Sequence, residues 1–98
     1  MPTFDRSDRF NRDLARLAPE LCDRFKTCIV EQFVPAVAAG APFPAGLRIK
    51  RVQGQRGVWE MTFAPDGRAT FEYGDEVVPG EPHVVWRRVG THALFKAP

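Results

Sequence analysis

GVWEMTFAPDGRATFEY, residues 57–73, decides the architecture. Apolar and polar residues alternate through Trp59-Glu60-Met61-Thr62-Phe63, break at Ala64-Pro65-Asp66-Gly67, and alternate again from Arg68 to Tyr73. A period of two belongs to a half-buried strand. Between two such runs proline presets φ and glycine supplies φ > 0, so the segment predicts an antiparallel hairpin. One face would carry Trp59, Met61, Phe63, Ala69, Phe71 and Tyr73. The other would carry Val58, Glu60, Thr62, Arg68, Thr70 and Glu72.

Working outward, the same alternation places strands near Leu47–Gln53, Gly57–Phe63, Arg68–Tyr73 and His83–Val89. Gly54-Gln55-Arg56-Gly57 makes the first turn, and a longer loop spans Gly74 to Pro82. In the first strand Leu47 and Ile49 oppose Arg48 and Lys50. The last strand is ambiguous, because Val85 and Arg87 share one face while Trp86 and Arg88 share the other.

Upstream the period lengthens, and residues 5–39 read as helical. Asp5 or Ser7 can cap a first helix, whose apolar stripe is Phe10, Leu14 and Leu17. Pro19 suits the first turn of a second helix, which carries a row of Leu21, Phe25, Ile29 and Phe33. Pro35 should end or kink it near Phe33, with a last turn through Ala36–Ala39 and a stop at Gly40. Two helices followed by a run of strands predict an α+β fold, the helices covering one face of an antiparallel sheet of about four strands.

Length and composition bound what this fold can do. Ninety-eight residues make one domain. No apolar run approaches the roughly 18–20 residues of a membrane helix. The opening Met-Pro-Thr-Phe-Asp-Arg lacks the layout of a secretory signal, so a soluble, cytoplasmic protein is expected. Cys22 and Cys28, six apart on a helix, would lie on opposite faces and about 9 Å apart along the axis, too far to bridge. With His83 and His92 they give no zinc spacing, so no metal is expected. Residues 1–45 carry six bases and six acids, residues 46–98 eight bases and six acids, so the net charge of +2 resides in the second half.

The polar sheet face collects Arg48, Lys50, Glu60, Thr62, Arg68, Thr70 and Glu72, with Arg87 or Arg88 adding a cation near its end. Two readings stay open. It is a solvated face with cross-strand ion pairs, such as Glu60 with Lys50 or Arg68. Or it is a phosphate-contacting surface, in which arginine and lysine displace the counterions of a nucleic acid; the roles of Glu60 and Glu72 are left undecided. His92, just past the last strand, is of a residue type that moves protons near neutral pH. His83, between Pro82 and a strand, reads as structural.

Two N-terminal helices, then LRIKRVQGQRGVWEMTF, GRATFEYG and HVVWRRVGTHALF, resemble the RelE/ParE superfamily of bacterial toxins. The ending Gly90-Thr91-His92-Ala93-Leu94-Phe95 is most similar to the RelE and YafQ-like branches. The resemblance implies the toxin of a type II toxin–antitoxin system. It further implies a ribosome-dependent endoribonuclease that cuts messenger RNA without metal or other cofactor. It assigns His92 as the acid/base group and Arg68 as the cation that stabilises the phosphorane-like transition state. Lys50 and Arg51 would bind phosphate, Arg87 and Arg88 would add substrate-binding cations, and Phe95 would help to place the substrate. The implied partners are a cognate antitoxin, folding onto the toxin as a helix in a groove or a strand on the sheet edge, and mRNA on the ribosome. The chain departs from ribosome-directed members in its modest net charge and in having Met61-Thr62-Phe63 where many carry arginines. Two alternatives are a ParE-like toxin that binds DNA gyrase without cleaving anything, and a non-toxic binding protein of the same fold.

Overall fold

The computed structural model of the chain describes residues 1–96, with side chains to Leu94. In chain order the elements are β1 (Thr3–Arg6), α1 (Asp8–Arg16), α2 (Pro19–Cys28), a π-helical turn (Ile29–Phe33) and α3 (Val34–Ala39). A 3₁₀ turn (Ala45–Leu47), β2 (Lys50–Arg51), β3 (Trp59–Ala64), β4 (Gly67–Gly74), β5 (His83–Gly90) and a closing 3₁₀ turn (His92–Lys96) follow. Among the described residues five strands form one sheet in the order β1-β5-β4-β3-β2. All neighbours are antiparallel except β1, which runs parallel to β5. The α+β class and the helix-covered sheet are as expected. No helix among the described residues is long and apolar enough to cross a membrane.

The start of the chain corrects the helical reading from residue 5 and adds a fifth strand. Thr3 to Arg6 pair with His83 to Trp86. Thr3 Oγ1 lies 2.7 Å from His83 Nδ1, and Asp5 Oδ2 lies 3.0 Å from His83 Nε2. His83 is buried, so both ring nitrogens are satisfied while it locks β1 in register. Ser7, not Asp5, caps α1: its Oγ accepts the Phe10 N–H at 3.0 Å and donates to the Arg87 carbonyl at 2.8 Å. One hydroxyl therefore both starts α1 and ties it to β5.

The first expected strand shrinks. Residues 45–47 wind into a 3₁₀ turn that buries Leu47, and Arg48 adopts φ 48° before β2 begins at Lys50. The hairpin stands where expected, its loop reduced to Pro65 and Asp66 by the pairing of Ala64 with Gly67. Gly67, however, is absent from the positive-φ residues. A Cβ there would sit 2.5 Å from Phe63 Cε2 and 2.9 Å from Ala64 Cβ. Space, not φ, selects this glycine.

Trp86 is the centre of the core and only 4% exposed. The rings of Phe33, Phe25, Phe71 and Phe10 lie 4.9, 5.4, 5.4 and 6.1 Å from it. These tilted and edge-to-face pairs suit the aromatic quadrupole and add to the burial of apolar area. A bulge lets the strand deliver this ring: β4 pairs Phe71 with Trp86 but Thr70 with Arg88, leaving Arg87 as the extra residue. Arg88 then reaches back to α1, with Nε 2.6 Å from Asp13 Oδ2 and Nη2 3.1 Å from Asp13 Oδ1. The same carboxylate accepts the Val89 N–H at 3.3 Å. The pair is mostly out of solvent, the side chains 19% and 16% exposed. Its hydrogen bond raises the Arg88 pKa above the ordinary arginine value against the opposing effect of burial, so the guanidinium stays charged.

Two stability outcomes follow from these contacts. Gly67→Ala should cost about 1–3 kcal/mol, because the added methyl forces Phe63 off its seat; urea titration measures it, and an unchanged midpoint would refute the steric account. Asp13→Ala should cost about 3 kcal/mol, the low end for breaking a buried ion pair. Asp23→Ala, on an exposed stretch of α2, should fall within about 0.5 kcal/mol of the parent in the same titration.

Candidate active site

The site forms where β5 runs out beside the β3–β4 turn. Because β4 and β5 are antiparallel and Arg68 faces Gly90, two further steps set residue 66 opposite residue 92. The Asp66 carboxylate duly accepts the backbone N–H of His92 at 3.3 Å. The closing 3₁₀ turn is anchored from behind by buried Leu94, whose N–H bonds the Thr91 carbonyl at 3.1 Å. The His92 side chain is left exposed on this ledge.

Arg68 stabilises the same turn. Its Nη1 faces the carbonyl oxygens of Gly67, Ala64 and Pro65 at 3.1, 3.2 and 3.3 Å. Among the described residues no carboxylate forms an ion pair with it. The Arg68 side chain also lines the groove formed with Thr62, Phe63, Ala64 and Pro65. The structure thus brings His92 and Arg68 to one turn and adds Asp66, which the sequence reading had used only as a turn former. The signal was present in the register: pairing the hairpin with the last strand places 66 against 92.

The other expected site residues divide. Lys50 shares the polar face, since it pairs with Glu60, and Glu60 is two residues from the Thr62 that faces Arg68. It stands two strands away, on the order of 10 Å across the sheet, and its Nζ is 3.4 Å from Glu60. Alternation turns Arg51 to the opposite face, with Cζ 5.2 Å from the centre of the Trp59 ring. Arg87 Nη1 lies 3.3 Å from Glu72. Arg88 is committed to Asp13 and holds α1 to β5. The side chain of Phe95 lies outside the described residues. Glu60 and Glu72, undecided from the sequence, each meet a basic side chain across the sheet.

Chemically, the turn offers an imidazole and a carboxylate at the surface, and the arginine that braces it turns its guanidinium to the Ala64 and Pro65 carbonyls. That set can accept and donate a proton and can stabilise a developing negative charge.

No protein-family model and no curated sequence matches the chain. Solved structures do match it in shape. YafQ from E. coli strain BL21(DE3) superposes with a TM-score of 0.68 at 16% identity, over 95% of this chain and 96% of its own. The YoeB/ParE toxin from Agrobacterium tumefaciens gives 0.64 at 12% identity, over 92% and 98%. The toxin–antitoxin complex RelBE2 from Mycobacterium tuberculosis gives 0.61 at 20% identity, over 94% and 100%. Agreement over nearly the whole length of each chain, at identities this low, is agreement in backbone architecture: the chain has the fold of the RelE/ParE-type toxins.

Proposed function

We propose that this chain is the toxin of a type II toxin–antitoxin pair, and that it cleaves messenger RNA on the ribosome without a metal. The observation that carries the reading is the exposed His92, whose backbone is held by Asp66 on the hairpin turn that Arg68 braces. The likeness in fold to YafQ, and to toxins solved in toxin–antitoxin complexes, supports the reading as a toxin with an antitoxin partner.

The chemistry asked of the site is transesterification. The 2′-hydroxyl loses its proton, an O2′–P bond forms, and the P–O5′ bond breaks as the 5′-oxygen takes a proton. The products are a 2′,3′-cyclic phosphate and a 5′-hydroxyl. His92 supplies the imidazole for one proton transfer, and Asp66 is a second titratable group on the same turn. Arg68 answers the negative charge that builds on the phosphorane oxygens, with its own direction fixed by the three carbonyls it bonds. Lys50 would touch a more distant phosphate after exchanging Glu60 for it.

The test is cleavage of ribosome-bound mRNA, read by primer extension alongside growth on induction. His92→Ala should lose about 10²–10⁴-fold in cleavage rate, the range for removing an acid/base group. Arg68→Ala should lose about 10²–10³-fold, as when one charge-stabilising donor is deleted. Variants that fold and still arrest growth as strongly as the parent would sink the nuclease reading. Gyrase poisoning with intact mRNA would replace it with a ParE-like activity.

A further inference from the structure

A groove of about 410 Å³ opens between α2, the loop before β2 and the β3–β4 hairpin. Its charged lining is Arg24 from α2, Arg48 from the loop and Arg68 from β4, and it contains no Asp or Glu. Gln32 and Thr62 add neutral hydrogen-bonding groups, and Phe63 forms apolar wall. Cys28 also faces it, and burial pushes that thiol's pKa up, so it brings no negative charge.

Two features set this groove apart. First, three arginines converge on one concavity, and among the described residues none of them is in an ion pair, as is also true of surface cations such as Arg12 and Arg56. Three like charges around one concavity repel each other and are relieved by an anion. Second, Arg48 is the one non-glycine residue at positive φ among the described residues. That conformation disfavours any residue with a Cβ, and here it sits on a charged residue at the groove.

We infer that this groove binds the phosphodiester backbone of RNA, with Arg24 and Arg48 as phosphate-contacting residues that extend the site at Arg68. The guanidinium fork matches phosphate oxygens in a way an ammonium does not. Arg68 lines the groove and also braces the turn that holds His92. A strand whose reacting phosphate lies at Arg68 therefore runs on between Arg24 and Arg48. The inference rests on RNA being the substrate, as proposed above.

The experiment uses the full chain and a single-stranded 2′-O-methyl RNA oligonucleotide, which binds but cannot be cut. Fluorescence anisotropy over a salt series is measured for the parent, Arg24→Ala, Arg48→Gly, the double variant and Lys26→Ala. Glycine at 48 removes the guanidinium while tolerating the positive φ. The double variant should bind about tenfold more weakly, with the slope of log K against log salt flattened by about 0.7 per arginine removed. Lys26→Ala, on α2 away from the groove, should match the parent. Equal affinity and slope in parent and double variant would overturn the inference even if the parent cleaves mRNA, as would a parent that does not bind the oligonucleotide. Loss of binding in the double variant, with a parent that fails to cleave, would keep the phosphate groove and overturn the nuclease reading.

Discussion

The fold depends on getting Trp86 and Val89 into the same core. They are three residues apart in β5, and strict alternation would send one of them to solvent. The bulge at Arg87 removes the conflict, so Trp86 meets the phenylalanines of α1, α2 and the π turn while Val89 pairs with buried Ala69. Everything at the candidate site lies downstream of that correction. Arg88 is swung to Asp13, Gly90 arrives opposite Arg68, and the chain leaves the sheet at the point where the Asp66 carboxylate can catch His92. A residue count in one strand, set by core packing, thus fixes where the backbone of His92 meets the hairpin turn.

Charge is distributed by the same geometry. A net +2 over the whole chain is weak, and a screening length of about 8–10 Å at working salt makes local arrangement matter more than the sum. Elsewhere on the sheet, Lys50 of the edge strand is matched by Glu60, and Arg87 by Glu72. Such partly exposed pairs contribute at most about 1 kcal/mol to stability, yet they subtract from the field a polyanion would feel. At the hairpin end the balance differs, since Arg24, Arg48 and Arg68 face one groove and an acid, Asp23, lines the adjoining hollow. The cross-strand pairing of Glu60 with Lys50 offered by the solvated-face reading is therefore present, while three arginines meet at the other end.

The hairpin was legible because its determinants are local: alternation on either side of Pro65-Asp66-Gly67 leaves few other structures open. The helices were legible for the same reason, down to the positive φ of Gly40 at the stop. β1 was not. It is four residues long, mostly exposed, and its partner lies 80 residues away in a parallel pairing, so neither period nor turn chemistry marks it. Arg87 and Arg88 could not be told apart because alternation breaks between them. Once it breaks, the two adjacent arginines take separate partners on β4 and α1. His92 and Arg68 were singled out through a resemblance, but that the end of β5 meets the hairpin turn is a property of register, which a single strand does not carry.

The second helix shows how a local misfit can serve the whole. Pro35 has no N–H to give the carbonyl four residues back, and its ring crowds that turn, yet the helical path runs from Pro19 to Ala39. The chain absorbs the proline by widening the preceding turn, where the Val34 N–H reaches the Ile29 carbonyl. In an unbroken α-helix, residues eight apart such as Phe25 and Phe33 diverge by about 80° around the axis. One extra residue in the widened turn rotates the later segment back by about 100°, bringing the two to within about 20° of each other. Both rings do pack on Trp86. The same widened turn carries Gln32 to the arginine-lined groove, so the proline shapes the core and the groove wall together.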